Sequence, residues 1–290
     1  MKILVTGGSG FIGKSLVKFL REKGLKVLTT PDSIAEFDIR RRKDVLNLPK
    51  ADVVIHLAAI ASVPLSWVKP KNTLETNIIG TLNILEYCSK RKAKIIYLNS
   101  YPYGDHVKIP SDENQPVSGN NPYAVSKIAA ELLCKVFADR EGLQAISFRV
   151  FNVYGPNQPN RLLISQLIND LLSKTEISVL SGKPKRDYVY IDDLLEAIYL
   201  GIKDQRKGFD TYNIGFGKSW SVFEIIAKLK KLTDRDILVV DKGLDRPNEI
   251  MDTVADISKA KRALGWKPKV NIDEGLKKTY EWFKNRYYHS

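Results

Sequence analysis

A tyrosine and a lysine four positions apart stand at the start of one amphipathic stretch, NNPYAVSKIAAE, residues 120–131. Asn120 or Asn121 can cap a helix here, and Pro122 suits its first turn. Positions i and i+4 share one face of a helix, so Tyr123 and Lys127 should project side by side. We expect the core-packing stripe of this helix to be a separate one, formed by Val125, Ile128, Leu132, Leu133 and Val136.

A phenol beside an ammonium group can take and return protons. A free tyrosine titrates near pH 10, and lowering its pKa toward 7 takes about 3 units, or roughly 4 kcal/mol. A neighbouring ammonium group supplies part of this free energy, because an opposite charge stabilises the phenolate. The alternative is that Tyr123 and Lys127 form only a solvated polar edge.

The N-terminal segment VTGGSGFIGKSLV predicts a dinucleotide site. Gly7, Gly10 and Gly13 recur every three residues, directly after an apolar run and at the start of a helical pattern. Such a turn lets the backbone approach a pyrophosphate and directs the free N–H groups of the helix N-terminus at it. A positively charged nicotinamide ring near Tyr123 would act together with Lys127 to lower the pKa of the phenol.

The second predicted strand ends without the acid that usually accepts the ribose hydroxyls of NAD. Thr29 and Thr30 stand there, and Asp32 is a displaced candidate for the ribose contact. Hydroxyl groups at 29 and 30, with a basic residue, would instead tolerate the extra phosphate of NADP. Asp38, in FDIR at the end of another short strand, can bind the adenine edge or be a plain turn aspartate.

Short apolar runs alternate with helical patterns in the first half of the chain. Strands are predicted at 2–6, 26–30, 52–59, 93–99 and 143–150, and helices at 11–23, 73–90 and 122–141. This order predicts an α/β protein with a Rossmann-type, doubly wound parallel sheet over residues 1–155. We expect a smaller α/β substrate-binding region over 156–290, with part of 189–215 packed back on the first region.

Composition excludes several classes of protein. The 290 residues are 43% hydrophobic and 27% charged, which is typical of a globular protein. We expect neither a membrane span nor a cleaved leader, and hence a cytoplasmic location. The net charge of +13 favours anionic small molecules, and we do not expect a nucleic-acid partner. Two cysteines and three histidines show no ligand spacing, so no metal is expected.

Motifs over nearly the whole chain resemble the extended short-chain dehydrogenases, in particular their nucleotide-sugar epimerase and dehydratase branch. They are TGGSGFIG (6–13), VIHLAA (54–59), TNIIGTLNILE (76–86), YPYGD (101–105), NPYAVSK (121–127), FRVFNVYGP (148–156), RDYVYIDDL (186–194), YNIG (212–215) and ADISKAKRALGWKP (255–268). The resemblance, closest to the UDP-glucose 4-epimerases, implies an NAD-dependent epimerase that oxidises C4 of a nucleotide sugar and returns the hydride to the other face.

The resemblance also implies roles for residues at matching positions. Tyr123 would be the acid/base, and Lys127 would bind the nicotinamide ribose and keep the phenol ionisable. In the second region Asn152, Arg186 and Arg246 would hold the diphosphate and nucleotide of the substrate. The residues implied at the cofactor are Gly7, Gly10, Phe11, Ile12, Gly13, Asp32, Asp38, Ile39, Leu57, Ala58, Ala59, Asn77, Tyr123 and Lys127. By the same resemblance, the helices at 73–90 and 122–141 would pair across a homodimer.

The segment YLNSYPYGD departs from the family pattern. The family places a serine or threonine five residues before this glycine, where its hydroxyl binds the reacting sugar oxygen, and that position is Asn99 here. Either the loop shifts by one residue and Ser100 serves, or Asn99 donates an amide hydrogen bond. Related dehydratases carry an acid where this chain has Tyr101, which argues against dehydration. An NADP-dependent reductase, a dehydratase and a non-catalytic nucleotide- or RNA-binding relative stay open as alternatives.

Overall fold

The computed structural model describes residues 1–33, 35–104, 108–233, 235, 237–244 and 249–289. The strands are β1 Lys2–Thr6, β2 Lys26–Thr29, β3 Val53–His56, β4 Lys94–Ser100, β5 Ala145–Val150, β6 Asn152–Tyr154, β7 Glu176–Val179, β8 Lys185–Tyr190, β9 Phe209–Ile214, β10 Ser219–Ser221 and β11 Leu238–Asp241. The helices are α1 Phe11–Glu22, α2 Arg42–Leu46, α3 Val63–Val68, α4 Pro70–Leu74, α5 Gly80–Arg91, α6 Pro122–Glu141, α7 Leu163–Ser173, α8 Ile191–Lys203, α9 Val222–Lys230, α10 Ser258–Leu264 and α11 Ile272–His289, with a π-helical turn, Glu75–Ile79, between α4 and α5.

A six-stranded sheet forms the centre of the molecule. Its strand order is β2-β1-β3-β4-β5-β9, and every neighbouring pair is parallel. Every residue of β3 and of β5 is buried, which explains why these strands read as unbroken apolar runs in the sequence. The predicted Rossmann-type α/β fold is confirmed.

The sheet is covered on both faces. Ile3 and Val5 of β1 belong to one hydrophobic cluster, together with Leu16 of α1. Leu4, between them, belongs to the other cluster, together with Ile84 of α5. Successive side chains of a strand point to opposite faces, so the two clusters are the two sides of a doubly wound sheet.

Residues beyond 155, together with β6 at 152–154, build two smaller sheets, and part of them also returns to the large one. The smaller sheets have the orders β10-β8-β6 and β11-β7. Strand β9 pairs with β5 at the edge of the large sheet, and α8 packs on α1 through an edge-to-face contact of Phe19 and Tyr199 with ring centroids 6.1 Å apart. These elements come from the 189–215 segment. The division at residue 155 itself stays a prediction.

Helix α6 has the predicted bounds but presents a different face to the sheet. Val125, Leu132 and Val136 are 44%, 56% and 53% exposed, so the prediction that these three pack on the core is wrong, whereas Leu133 of the same predicted stripe does pack against a core cluster. The buried face consists of Ser126, Lys127, Ala130, Glu131, Cys134 and Ala138. Small and polar side chains of α6 therefore lie against the sheet, and the apolar stripe points outward.

Two other expectations concern Asp38 and membrane-spanning helices. The prediction that Asp38 ends a short strand is wrong, because residues 37 and 38 have no regular secondary structure and residues 39 and 40 form a turn. Among the helices of the described residues, none has the length and apolar character needed to cross a membrane. The cytoplasmic location stays a prediction.

Candidate active site

Tyr123 stands in the first turn of α6. The Asn121 side chain accepts the Ala124 N–H at 2.9 Å and so caps the helix, and Pro122 occupies the first helical position. The Ser100 hydroxyl at the end of β4 lies near enough to the half-buried Tyr123 phenol to influence its pKa as a hydrogen-bond partner. Burial raises the pKa of Tyr123, and the Ser100 hydrogen bond acts in the opposite direction.

Lys127 lies one helical turn further along the same face. Its ammonium group donates to the Leu98 carbonyl at 2.6 Å and lies 4.2 Å from the centroid of the Tyr97 ring. The side chain is buried, and this burial lowers the pKa of Lys127 to about 7. The structure thus brings the predicted pair together at the carboxyl ends of the strands, but in surroundings that disfavour both charged forms.

Ser100 and Asn99 lie in different surroundings. The Ser100 hydroxyl meets Tyr123, as described above. Asn99 is 4% exposed, and its amide nitrogen donates to the Glu131 carboxylate at 2.7 Å. Its amide oxygen accepts the N–H of Ser100 at 2.9 Å. Both ends of the Asn99 side chain are therefore engaged within the protein.

Asn77 braces α6 from the neighbouring helix. Its amide oxygen accepts the Ile60 N–H at 2.8 Å, and its amide nitrogen donates to the Ser126 hydroxyl at 2.8 Å. Ser126 in turn donates to the Tyr123 carbonyl at 2.7 Å. Asn77 lies in the π-helical turn, a feature that is frequent at functional sites. No sequence pattern indicated this turn.

The glycine turn between β1 and α1 has room only for backbone. Gly7 has a φ of +70°, and a Cβ atom there would lie 2.8 Å from the Ala58 nitrogen. A Cβ atom at Gly13 would lie 2.1 Å from the Gly7 carbonyl oxygen. Helix α1 begins after Gly10 with no side-chain cap, so its first N–H groups are open to an anion. These residues fit the pyrophosphate of a dinucleotide.

The other predicted cofactor residues surround this turn. Phe11, Ile12, Leu57, Ala58 and Ala59 are partly buried. The carboxyl ends of β1 and β3 are tied together, because the Thr6 hydroxyl accepts the Ala58 N–H at 3.2 Å. Such packing presents the backbone of both strand ends to the same side of the turn.

Asp32 and Asp38 differ in availability. Asp32 is exposed and lines an open cleft of about 510 Å³ together with Gly8, Ser9, Lys14 and Thr29, among others. The Asp38 carboxylate accepts hydrogen bonds from the Arg40 guanidinium at 2.6 and 3.0 Å, which lower the pKa of Asp38. Ile39, next to Asp38, is buried with its side chain near Gly80 of α5.

The predicted substrate residues lie in the smaller region. The Asn152 amide donates to the Asp187 carbonyl at 3.4 Å. Arg186 is ion-paired with Glu249 and donates to the Ile250 carbonyl at 2.6 Å. Arg246 lies outside the described residues.

His56 is the one histidine whose side chain the structure describes. Its ring is buried between the hydroxyls of Thr6 at 2.8 Å and Thr81 at 3.0 Å, and this burial lowers its pKa to about 3. A neutral histidine held by two hydroxyl groups fixes the conformation at the carboxyl end of β3. Among the described residues, no three His, Cys, Asp or Glu side chains are grouped as metal ligands would be.

Comparison with known proteins agrees with this geometry. The model of the NAD dependent epimerase/dehydratase family matches residues 3–215. The chain is 31% identical to a UDP-glucuronate 4-epimerase of Thermodesulfobacterium geofontis, over 97% of this chain and 95% of the relative. The crystal structure of a UDP-glucose 4-epimerase from Thermotoga maritima with UDP-glucose has a TM-score of 0.91 and 32% identity, covering 99% of this chain and 100% of that one. A UDP-glucose 4-epimerase from Thermus thermophilus in complex with NAD has a TM-score of 0.88 and 29% identity, covering 98% and 99%.

The family model covers the glycine turn, the Tyr123–Lys127 pair and all six strands of the large sheet. The resemblance drawn from the sequence motifs is thereby confirmed, and with it the dependence of the family on NAD. The chain belongs to the NAD dependent epimerase/dehydratase family.

Proposed function

We propose that this protein is an NAD-dependent nucleotide-sugar epimerase that inverts C4 of a UDP-hexose. The observation that carries this proposal is the proximity of the Ser100 hydroxyl to the Tyr123 phenol, with Lys127 one turn away on the same helix. The arrangement provides one group that exchanges a proton and one that holds the same substrate oxygen. Proteins of similar fold and sequence are described as 4-epimerases of UDP-sugars.

The cofactor residues are proposed on the fit described above. The glycine turn would hold the pyrophosphate through backbone N–H groups, and the chain around Ala58 would line the cofactor next to Asn77. Lys127 would bind the nicotinamide ribose. When bound, NAD supplies the group that accepts hydride from the sugar and gives it back.

The proton is handled by this chain's own residues. The Tyr123 phenolate oxygen takes the proton of the C4 hydroxyl and returns it when the sugar is reduced again. Ser100 hydrogen-bonds the same sugar oxygen. We propose Ser100 rather than Asn99 for this contact, because both ends of the Asn99 side chain are already engaged within the protein.

The Lys127 ammonium has a second task. Burial alone raises the pKa of Tyr123, so the phenol needs nearby positive charge to ionise near neutral pH. The ammonium group supplies part of that charge when it is protonated. Its bond to the Leu98 carbonyl would be exchanged for the ribose hydroxyls when the cofactor binds.

The proposed substrate site is cationic. Arg186, and Arg246 by the family pattern, would hold the diphosphate, since guanidinium groups bind phosphate oxygens in pairs. Asn152 would support the same group. In the structure the Glu249 carboxylate forms an ion pair with the Arg186 guanidinium. A bound diphosphate would compete with Glu249 for the same guanidinium donors.

We propose further that two copies of the chain pair through α5 and α6. The support is the apolar stripe of α6, where Val125, Leu132 and Val136 are about half exposed. The side chains of Trp67 on α3 and Ile79 beside α5 are also exposed, by 63% and 44%. Exposed apolar side chains along one face of a helix are typical of a protein interface, and a second copy would cover them with an identical surface.

The proposal is tested by incubating the purified protein with NAD and UDP-glucose and separating the products by chromatography. We expect UDP-galactose to form without net consumption of the cofactor. A reductase would consume NADPH stoichiometrically, and a dehydratase would give a product lighter by one water. A protein that turns over no UDP-, GDP- or dTDP-sugar would contradict the proposal and favour a non-catalytic relative.

A further inference from the structure

A buried ion pair lies one helical turn beyond Lys127. The Glu131 carboxylate accepts hydrogen bonds from the Arg149 guanidinium at 2.5 and 3.1 Å and from the Ser147 hydroxyl at 2.6 Å. Glu131 and Arg149 are each 7% exposed. The cost of removing two charges from water offsets most of their attraction, so such a pair is weak evidence for added stability. Its location is more informative than its energy.

The carboxylate reaches the end of β4 through one side chain. It accepts the Asn99 amide N–H at 2.7 Å, and the amide oxygen of Asn99 accepts the N–H of Ser100 at 2.9 Å. The reverse orientation of the amide would set two donors against each other at Ser100 and two acceptors against each other at Glu131. The charge of Glu131 therefore fixes which way Asn99 points.

Arg149, the other member of the ion pair, holds the chain that follows Ser100. The Arg149 guanidinium donates to the Tyr103 hydroxyl at 3.1 Å and to the Glu113 carbonyl at 2.9 Å. Tyr103 follows Ser100 by three residues, and Asn99 precedes it by one. The network thus holds the chain on both sides of the residue that meets the phenol.

Helix α6 carries both ends of this arrangement. Tyr123, Lys127 and Glu131 are spaced i, i+4 and i+8, so all three lie on the face toward the sheet. Two hydrogen bonds tie that face to β4, from Lys127 to the Leu98 carbonyl at 2.6 Å and from Asn99 to Glu131 at 2.7 Å. The second bond is made by the residue next to the hydroxyl that faces the phenol.

We propose that Glu131 is a positioning residue for the reaction. Through the Asn99 amide it holds the Ser100 backbone in place, and Arg149 keeps the carboxylate itself in place. The Ser100 hydroxyl is thereby kept beside the Tyr123 phenol. The effect on turnover rests on the proposed function, whereas the effect on the backbone of Ser100 does not.

The first experiment measures amide hydrogen exchange by mass spectrometry in the peptide that covers residues 99–104. Glu131→Gln should raise exchange there and leave the middle of α6 protected. Ser147→Ala is the matched control, because it also removes a hydrogen bond to the carboxylate, whereas the hydrogen bonds that Ser147 makes in the structure include none to residues 99–104. Since Glu131→Gln leaves Arg149 without its counter-charge and can weaken folding, the double variant Glu131→Leu/Arg149→Met removes both charges and should show the same rise.

The second experiment measures kcat and KM with UDP-glucose and NAD. Glu131→Gln should lower kcat roughly 10- to 100-fold, the scale expected for a misplaced reacting group, with a smaller change in KM. In the Ser100→Ala background the same substitution should lower kcat no further, because the group that it positions is already gone. Ser147→Ala should keep a kcat close to that of the unmodified protein.

Each outcome decides whether Glu131 positions Ser100 or only stabilises the fold. Unchanged exchange in residues 99–104 for both charge-removing variants would overturn the proposal, as would losses of kcat that multiply in the Ser100→Ala background. A double variant that regains both stability and kcat would show that the ion pair is only structural. If the unmodified protein turns over no nucleotide sugar, the proposed function fails, and the exchange result still decides whether Glu131 positions Ser100.

Discussion

Replacing Ser100 with alanine should slow the proposed epimerisation roughly 10- to 150-fold at neutral pH. The Ser100 hydroxyl lies beside the Tyr123 phenol as a hydrogen-bond partner for it, and the phenol must carry negative charge to take a proton. A hydrogen bond to a charged group contributes about 1.5–3 kcal/mol, and each 1.36 kcal/mol corresponds to about tenfold in rate.

The loss of kcat in Ser100→Ala should depend on pH in a defined direction. Burial raises the pKa of Tyr123, and the Ser100 hydrogen bond is what opposes this rise. Without the bond, the pKa of the phenol rises, and the ascending limb of kcat against pH moves to higher pH. The deficit should therefore be largest at low pH and should shrink as the pH rises.

The assay is kcat for UDP-glucose between about pH 6 and pH 10, which spans the ordinary pKa range of lysine and tyrosine. Ser100→Thr is the control, since threonine keeps a hydroxyl at the same Cβ position and should retain the profile. An alanine variant whose kcat and pH profile match those of the unmodified protein would refute the assignment of Ser100.

The remaining predictions concern the phenol, the ammonium group and the outer face of α6. Tyr123→Phe should lower kcat by about 100- to 10,000-fold, the range for a lost general acid/base, with an unchanged Tm; normal turnover would contradict the proposed role. In the cofactor-free protein, burial lowers the pKa of Lys127 to about 7, below its value in the unfolded chain. Between about pH 7 and pH 10 the unfolded state therefore binds one more proton than the folded state, at the amine of Lys127. The Tm of the unmodified protein should therefore rise with pH relative to that of Lys127→Met across this window. A difference in Tm between the two proteins that does not change with pH would contradict the lowered pKa of Lys127. Leu132→Glu and Val136→Glu should each give monomers by light scattering, whereas Lys135→Glu, on the same helix, should not; a monomeric unmodified protein would reject the dimer.

The bounds of α6 could be predicted from the sequence because its end signals are local. Asn121 and Pro122 mark the first turn, and Gly142 ends the helix in a left-handed conformation with a φ of +66°. Strands β3 and β5 were recognisable for a similar reason, since a strand covered on both sides shows an unbroken apolar run. Signals of this kind do not depend on distant parts of the chain.

The orientation of α6 could not be predicted in this way. Periodicity shows that Val125, Leu132 and Val136 share a stripe, but it does not show what covers that stripe. The sheet instead receives Ala130 and Cys134, whose small side chains let the helix approach closely. An apolar stripe that faces outward reads the same in the sequence as one that faces inward.

The network around Glu131 was missed because its members are far apart in the sequence. Glu131 contacts Asn99 from 32 positions away and Arg149 from 18 positions away. The one available signal was the spacing of Tyr123, Lys127 and Glu131, which places a carboxylate on the same helix face as the proposed acid/base. The choice between Ser100 and Asn99 likewise depends on contacts that counting back from a glycine cannot supply.

Strand β9 makes the two regions of this protein inseparable. It is drawn from residues 209–214, yet it forms the edge of the large sheet beside β5. A fragment cut after residue 155 would leave the hydrogen-bonding groups of β5 open along its whole length, and such bare edges pair with other chains. Expressed alone, the N-terminal half should therefore aggregate rather than bind a dinucleotide, and adding the C-terminal half during refolding should restore it.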